Sequence, residues 1–135
     1  MKYKILITDP ISESGISILK DNNCEIIDKI ESKGSIHEII DKIDGWIMRS
    51  GTKISETDIK SAENLQVIGR AGVGVDNIDI KTATKYGIVV MNVPDGNSIS
   101  AAEHTMAMIL TLSRNIHLGH ASLEDGDWER ANLIG

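Results

Sequence analysis

Short apolar runs recur through the first 95 or so residues, each separated from the next by a polar or helically patterned stretch. Lys4 to Thr8 predicts a buried strand, and Ile11 to Lys20 a helix in which Ile11, Ile16, Ile18 and Leu19 roughly keep the 3.6-residue period. Cys24 to Asp28 predicts a second strand. Ser35 with Glu38 is a capping-box pair ahead of Ile36, Ile39, Ile40 and Ile43, and predicts a helix that Gly45 stops. Trp46 to Arg49 is the third predicted strand, Ser55 with Asp58 opens a short helix, and Leu65 to Gly69 is the fourth strand. Asp76 to Tyr86 reads as a helix ended by Gly87, and Ile88 to Asn92 as the fifth strand. This alternation predicts an α/β fold: a five-stranded parallel sheet with right-handed crossovers and flavodoxin-like layers.

After residue 97 the pattern changes. Ser100 and Glu103 make a third cap pair, and Ala101 to Leu112 is apolar on nearly every side. A helix of that kind has to be covered on more than one face, so a partner surface is expected for it. The tail from Ala121 to Gly135 has no convincing periodicity and stops without a polar finish. The expected organisation is a domain over residues 1–97, then a long apolar crossover helix and the start of a second domain over 98–135, with the rest of that domain missing.

Composition narrows the choice of core and compartment. The 135 residues are 41% apolar and 25% charged, which suits a folded domain far from the disordered class. Aromatic residues are only 3%, with no Phe, so the core must be built from Ile, Val, Leu, Met and Ala, as parallel sheets commonly are. Fourteen basic against 20 acidic residues give a net charge of −6, and no basic run marks a nucleic-acid or membrane surface. The single Cys24 can form no internal disulfide and has no zinc-type spacing, and no apolar run approaches the roughly 18 residues of a span. A cytoplasmic, unexported protein is expected.

Three segments carry candidate chemistry, and all fall where strands of an open parallel sheet end, the edge at which such sheets bind ligands. In Met48-Arg49-Ser50-Gly51-Thr52, an arginine, a hydroxyl and backbone amides beside a glycine could fork onto a carboxylate or phosphate, or be a solvated turn. Gly69-Arg70-Ala71-Gly72-Val73-Gly74-Val75-Asp76-Asn77 begins like a dinucleotide fingerprint but has Asn77 where the third glycine belongs, and Val75 where a P-loop has Lys. Two readings remain open: a glycine-rich turn whose amides and Arg70 face an anion, or a tight turn into a helix capped by Asp76 or Asn77. Met91 to His104 is a polar loop in which Pro94, Gly96 and Asn97 impose a turn, with Asn97 and Ser98 at the start of the apolar helix.

In order and spacing, Arg49 to Thr52, Leu65 to Asn77 and Val90 to Glu103 together resemble the N-terminal part of D-isomer-specific 2-hydroxyacid dehydrogenases, and the likeness covers essentially the whole chain. The segments Asn97 to Glu103 and Asp125-Gly126-Asp127-Trp128-Glu129-Arg130 point to a branch acting on a phosphorylated hydroxy acid. The resemblance implies that Arg49, Ser50, Arg70, Gly72 and Asn97 line the substrate side. Val73 would touch the nicotinamide half of NAD, and Arg130 would reach substrate, across a dimer if one forms. It also implies that the glycine fingerprint and the catalytic Arg, acid and His follow Gly135, so the chain alone is expected to be inactive and to have no catalytic residue of its own. The competing reading, a ligand-sensing or response-regulator-like domain, wants an acidic cluster after strand one, where there is only Asp9 followed by Pro10. His104, His117 and His120 lie on or near one predicted helix, but without a carboxylate at matching spacing they are read as helix-end cations and no metal is expected.

Overall fold

A computed structural model describes residues 2–30 and 33–134, without the side chains of 33–35. The chain divides into two compact units, Met1–Gly96 and Asn97–Gly135.

The first unit is a five-stranded sheet, β1 (Lys4–Ile7), β2 (Glu25–Asp28), β3 (Gly45–Met48), β4 (Val67–Arg70) and β5 (Val89–Met91). All neighbours are parallel, in the order β2-β1-β3-β4-β5, which is the expected flavodoxin-like arrangement. Its order reverses between β1 and β3, and the carboxyl edge at such a reversal is where open parallel sheets bind ligands. Leu6, Trp46, Met48 and Ile68 point to one face and are at most 2% exposed. Helices α2 (Glu56–Ser61) and α3 (Ile80–Lys85) close that face through Ile59 and Ala83. On the other face α1 (Glu13–Asp21) lies beside β2, but over β3 to β5 a groove of about 430 Å³ stays open, floored by Ile47, Val67 and Gly69.

Capping chemistry sets the helix starts. Ser12 accepts from the Gly15 amide and starts α1 two residues after the apolar pattern does. The expected capping box is present in α2: the Asp58 amide donates to Ser55 Oγ and the Ser55 amide to Asp58 Oδ2. α3 begins four residues later than Asp76, because the backbone around Asn77 and Asp79 is engaged with Ile54 in a parallel bridge and cannot also be helical. Asp79, not Asp76 or Asn77, is its cap. The helix ends at Lys85, with Gly87 following at φ 70, as its sequence position implied.

The Ile36–Ile43 stretch is no α-helix but two 3-10 turns, Lys33–Glu38 and Ile40–Lys42. The Ser35 side chain of the expected capping pair lies outside the described residues. Gly45 does not stop a helix either. It opens β3, where a Cβ would lie 2.8 Å from Ile5 Cδ1, so its role is close packing between strands.

The second unit contains α4 (Ser98–Ser113), α5 (Ile116–Glu124) and a 3-10 turn at Arg130–Asn132. The long apolar helix is present, but Ser100 lies inside its first turn and the cap position is Asn97, which makes no capping bond. Asn115, at φ 50, separates α4 from α5. The three histidines therefore do not share one helix, and part of the supposedly irregular tail, Ala121 to Glu124, is helical. No helix among the described residues is long and apolar enough to cross a membrane.

Candidate functional site

The site is built on loops that leave the carboxyl ends of β1, β3, β4 and β5. Polar residues beneath them fix their height and direction. Thr8, fully buried at the end of β1, accepts from Trp46 Nε1 at 3.0 Å and from Thr52 Oγ1 at 2.9 Å. Asp9, only 5% exposed, accepts the Arg49 amide at 2.8 Å. Buried donors left without acceptors would cost about 1–3 kcal/mol each, so these contacts hold the Arg49–Thr52 loop in one place. Asp9 is thus a loop anchor and more than a turn residue.

The glycine-rich segment is held from both sides. The Ala71 amide donates to the Met48 carbonyl at 2.9 Å, the Val93 amide to the Gly72 carbonyl at 3.0 Å, and Asn92 Nδ2 to the Val73 carbonyl at 2.6 Å. Its far end is closed by Asn77. The Asn77 amide donates to the carbonyls of Arg49 at 2.7 Å and Thr52 at 2.6 Å, while its Oδ1 accepts Arg70 Nε at 2.9 Å. Arg70 then folds back over Gly72, where a Cβ would collide with the guanidinium. Neither Arg49 nor Arg70 is paired with a carboxylate among the described residues.

Four of the expected residues, Arg49, Ser50, Arg70 and Gly72, therefore gather on two loops joined by one side chain. Arg49 and Ser50 are exposed, Arg70 and Gly72 half-buried. Val73 stands exposed between Gly72 and Gly74 at the outer turn. Asn97 and Arg130 belong to the second unit. Asn97 is exposed at the start of α4, and Arg130 lines a groove of about 390 Å³ with Leu123, Trp128 and Leu133. Sequence reading missed Asn77. It was weighed as a failed glycine and a possible cap, and its long-range bonds to residues 25 and 28 positions away left no local pattern to find.

A glycine turn flanked by two arginines with no carboxylate partner among the described residues, at the carboxyl edge of a 2-1-3-4-5 sheet, narrows the choice of family, and the family model for the catalytic domain of D-isomer specific 2-hydroxyacid dehydrogenases matches residues 5–126. The chain belongs to this family. It is 45% identical over 133 residues to D-3-phosphoglycerate dehydrogenase from Homo sapiens, covering 98% of this chain and 25% of that protein. It is 47% identical to the enzyme of the same name from Methanocaldococcus jannaschii, with the same coverage. The chain thus spans about a quarter of the length of these curated relatives. Among solved structures, NAD+-bound 3-phosphoglycerate dehydrogenase from Entamoeba histolytica superimposes with a TM-score of 0.71 at 36% identity, over 84% of this chain and 40% of that one. NAD-dependent formate dehydrogenase from Staphylococcus aureus, at 24% identity and TM-score 0.84, covering 98% of this chain and 44% of that one, shares the fold.

Family membership agrees with the resemblance read from the three segments. Among the described residues no three His, Cys, Asp or Glu side chains come together as a metal site. His120 instead lies 3.6 Å from Glu124 on the exposed side of α5.

Proposed function

We propose that the chain is the substrate-binding portion of an NAD-dependent dehydrogenase of D-2-hydroxy acids, acting on 3-phospho-D-glycerate to give 3-phosphohydroxypyruvate, and that by itself it is inactive. The observation that carries this reading is the pair of arginines, Arg49 and Arg70, unpaired with any described carboxylate and fixed on adjacent loops by Asn77. A phosphorylated hydroxy acid carries anionic groups at both ends, and guanidinium groups bind such groups through paired N–H donors. The amides of Ser50, Val73 and Gly74 make no described hydrogen bond and add neutral donors beside them.

Oxidation of a secondary alcohol needs a hydride acceptor, a base for the hydroxyl proton and a cation near the forming carbonyl. NAD would supply the acceptor. The outer turn suits a flat ring: Val73 is exposed between two residues without side chains, so backbone and ring can approach closely. No residue of the chain is assigned as the base. Arg49 and Arg70 are assigned to binding and orientation, with Ser50, Gly72 and Asn97 beside the substrate and Arg130 reaching a substrate across a dimer. Asn97, exposed and making no capping bond, retains both faces of its amide for this purpose.

The partner proposed for the apolar helix is a second copy of the chain. Between Ser98 and Ser113 the only Asp, Glu, Lys or Arg is Glu103, so two such helices can pair with little like-charge repulsion.

Titrating 3-phosphoglycerate into the isotopically labelled chain tests the site. With much of the ligand left in solvent, affinity is expected on the order of millimolar, about 4 kcal/mol. The amides of Ser50, Gly72 and Asn97 should shift first, D-lactate should shift them less, and an assay with NAD should show no turnover. Silence at those three residues with shifts elsewhere overturns the substrate site.

A further inference from the structure

We propose that Asn77 is a positioning residue that couples the two arginine loops, setting the direction of the Arg70 guanidinium and the path of the Arg49–Thr52 backbone with one side chain. The proposal rests on the reading of these loops as an anion-binding face. All the hydrogen-bonding geometry at Asn77 points the same way. Arg Nε can only donate, and backbone carbonyls can only accept, so Oδ1 must face Arg70 and Nδ2 must face Arg49 and Thr52. Both amide hydrogens and one oxygen lone pair are then in use. A residue at this place with the opposite polarity, or with one function only, cannot serve both loops.

The consequence falls on the arginine. With Nε engaged by Asn77, the Nε/Nη2 edge is no longer available for forked recognition, and Arg70 presents its Nη1/Nη2 end to a carboxylate or phosphate. Gly72 completes the arrangement, because the guanidinium occupies the space that any Cβ there would need. The other arginine is set through its backbone. Its amide is held by Asp9 and its carbonyl by Asn77, so its side chain leaves the loop from a fixed origin. The position where a dinucleotide fingerprint would have its third glycine is therefore occupied by the group that builds a different anion site.

Substitutions separate the two halves of this role. Asn77→Asp keeps an acceptor for Arg70 but loses both donors to the loop, whereas Asn77→Ala loses everything. In the 135-residue chain with labelled arginine, the Arg70 Nε–H should exchange with solvent about fivefold more slowly than that of Arg114, the protection expected of one hydrogen bond of ordinary net strength. Asn77→Ala should abolish that protection. Asn77→Asp should retain it while shifting the Ser50 and Thr52 amides. With 3-phosphoglycerate and inorganic phosphate as probes, Asn77→Ala should weaken binding about tenfold, but by about threefold in an Arg70→Lys background, where only its hold on the Arg49 loop is left to lose and coupled residues are not additive. Circular dichroism confirms that each variant is folded. The proposal is overturned if Arg70 is unprotected in the unaltered chain, if Asn77→Ala leaves its exchange unchanged, or if the Asn77 and Arg70 losses simply multiply. Should neither probe bind the unaltered chain, the anion-binding reading falls, and the exchange rates alone decide whether Asn77 positions Arg70.

Discussion

The two units of this chain are built from similar residues and reach opposite outcomes. In the first, Leu6, Ile7, Ile43 and Ile68 are completely buried. In the second, Ile99, Leu110, Leu112 and Trp128 are between 55% and 77% exposed, and neither α4 nor α5 contains a buried residue. The difference lies in periodicity. In the first unit α2 and α3 cover one whole face of the sheet, so the Ile, Leu and Met side chains pointing that way find cover locally, while the other face stays open over β3 to β5. α4 is apolar around its circumference, and α5 with one 3-10 turn is too little to surround it. The first unit is thus built around its own core, and the second leaves most of its apolar side chains exposed.

That contrast can be broken most directly through association. Light scattering should give a mass above the 14.7 kDa of one chain at micromolar concentration, and Leu110→Glu should restore the single-chain mass. A constant 14.7 kDa in the unaltered chain would show that its exposed helix needs no copy of itself. Next in size, Trp46→Ala should lower unfolding free energy by about 3–5 kcal/mol, while Leu110→Ala should change the stability of the monomer by less than about 0.5 kcal/mol. Equal losses in denaturant titrations would erase the distinction between the units. Thr8→Val fills the same space but strands the Trp46 indole and the Thr52 hydroxyl, and should cost about 1–3 kcal/mol. It should also loosen the Arg49 loop, visible as faster amide exchange at Ser50.

The smallest effect concerns a surface pair in the first unit. Lys60 lies 2.6 Å from Glu56, whose hydrogen bond and then charge raise the lysine above its ordinary pKa of 10.5. A raised folded-state pKa gives a contribution fully present below the unfolded value and lost as pH climbs through the folded one. Glu56→Gln should bring the Lys60 titration back toward 10.5 and flatten the fall in stability above that pH. An unchanged lysine titration curve would remove the pair from the account.

How legible each feature was depended on how far its cause reaches along the chain. The five apolar runs, the capping box at Ser55 and Asp58, and the glycine after α3 are local, and they read correctly from the residues alone. The arginines and glycines proposed for the site stand out in the sequence because unusual residue types cluster at the predicted strand ends, and their role is a proposal that the 3-phosphoglycerate titration tests. Where a long-range contact competes with a local preference, the local reading failed. Asp76 looked like a helix start until the bridge to Ile54 took its neighbours' backbone, and Gly45 looked like a helix stop until Ile5 claimed the space above it.

By itself the sequence determined the fold class, the parallel sheet and the residue types available for binding an anion, since these follow from hydrophobic period and local chemistry. Only the tertiary structure decided that Asn77, Asp9 and Thr8 bring those residues to fixed places. Apart from the bond between Asn77 and Arg70, seven residues apart, their hydrogen bonds join segments 25 to 44 residues apart, and no pattern along the chain encodes a partner that only the closing of the sheet brings within reach.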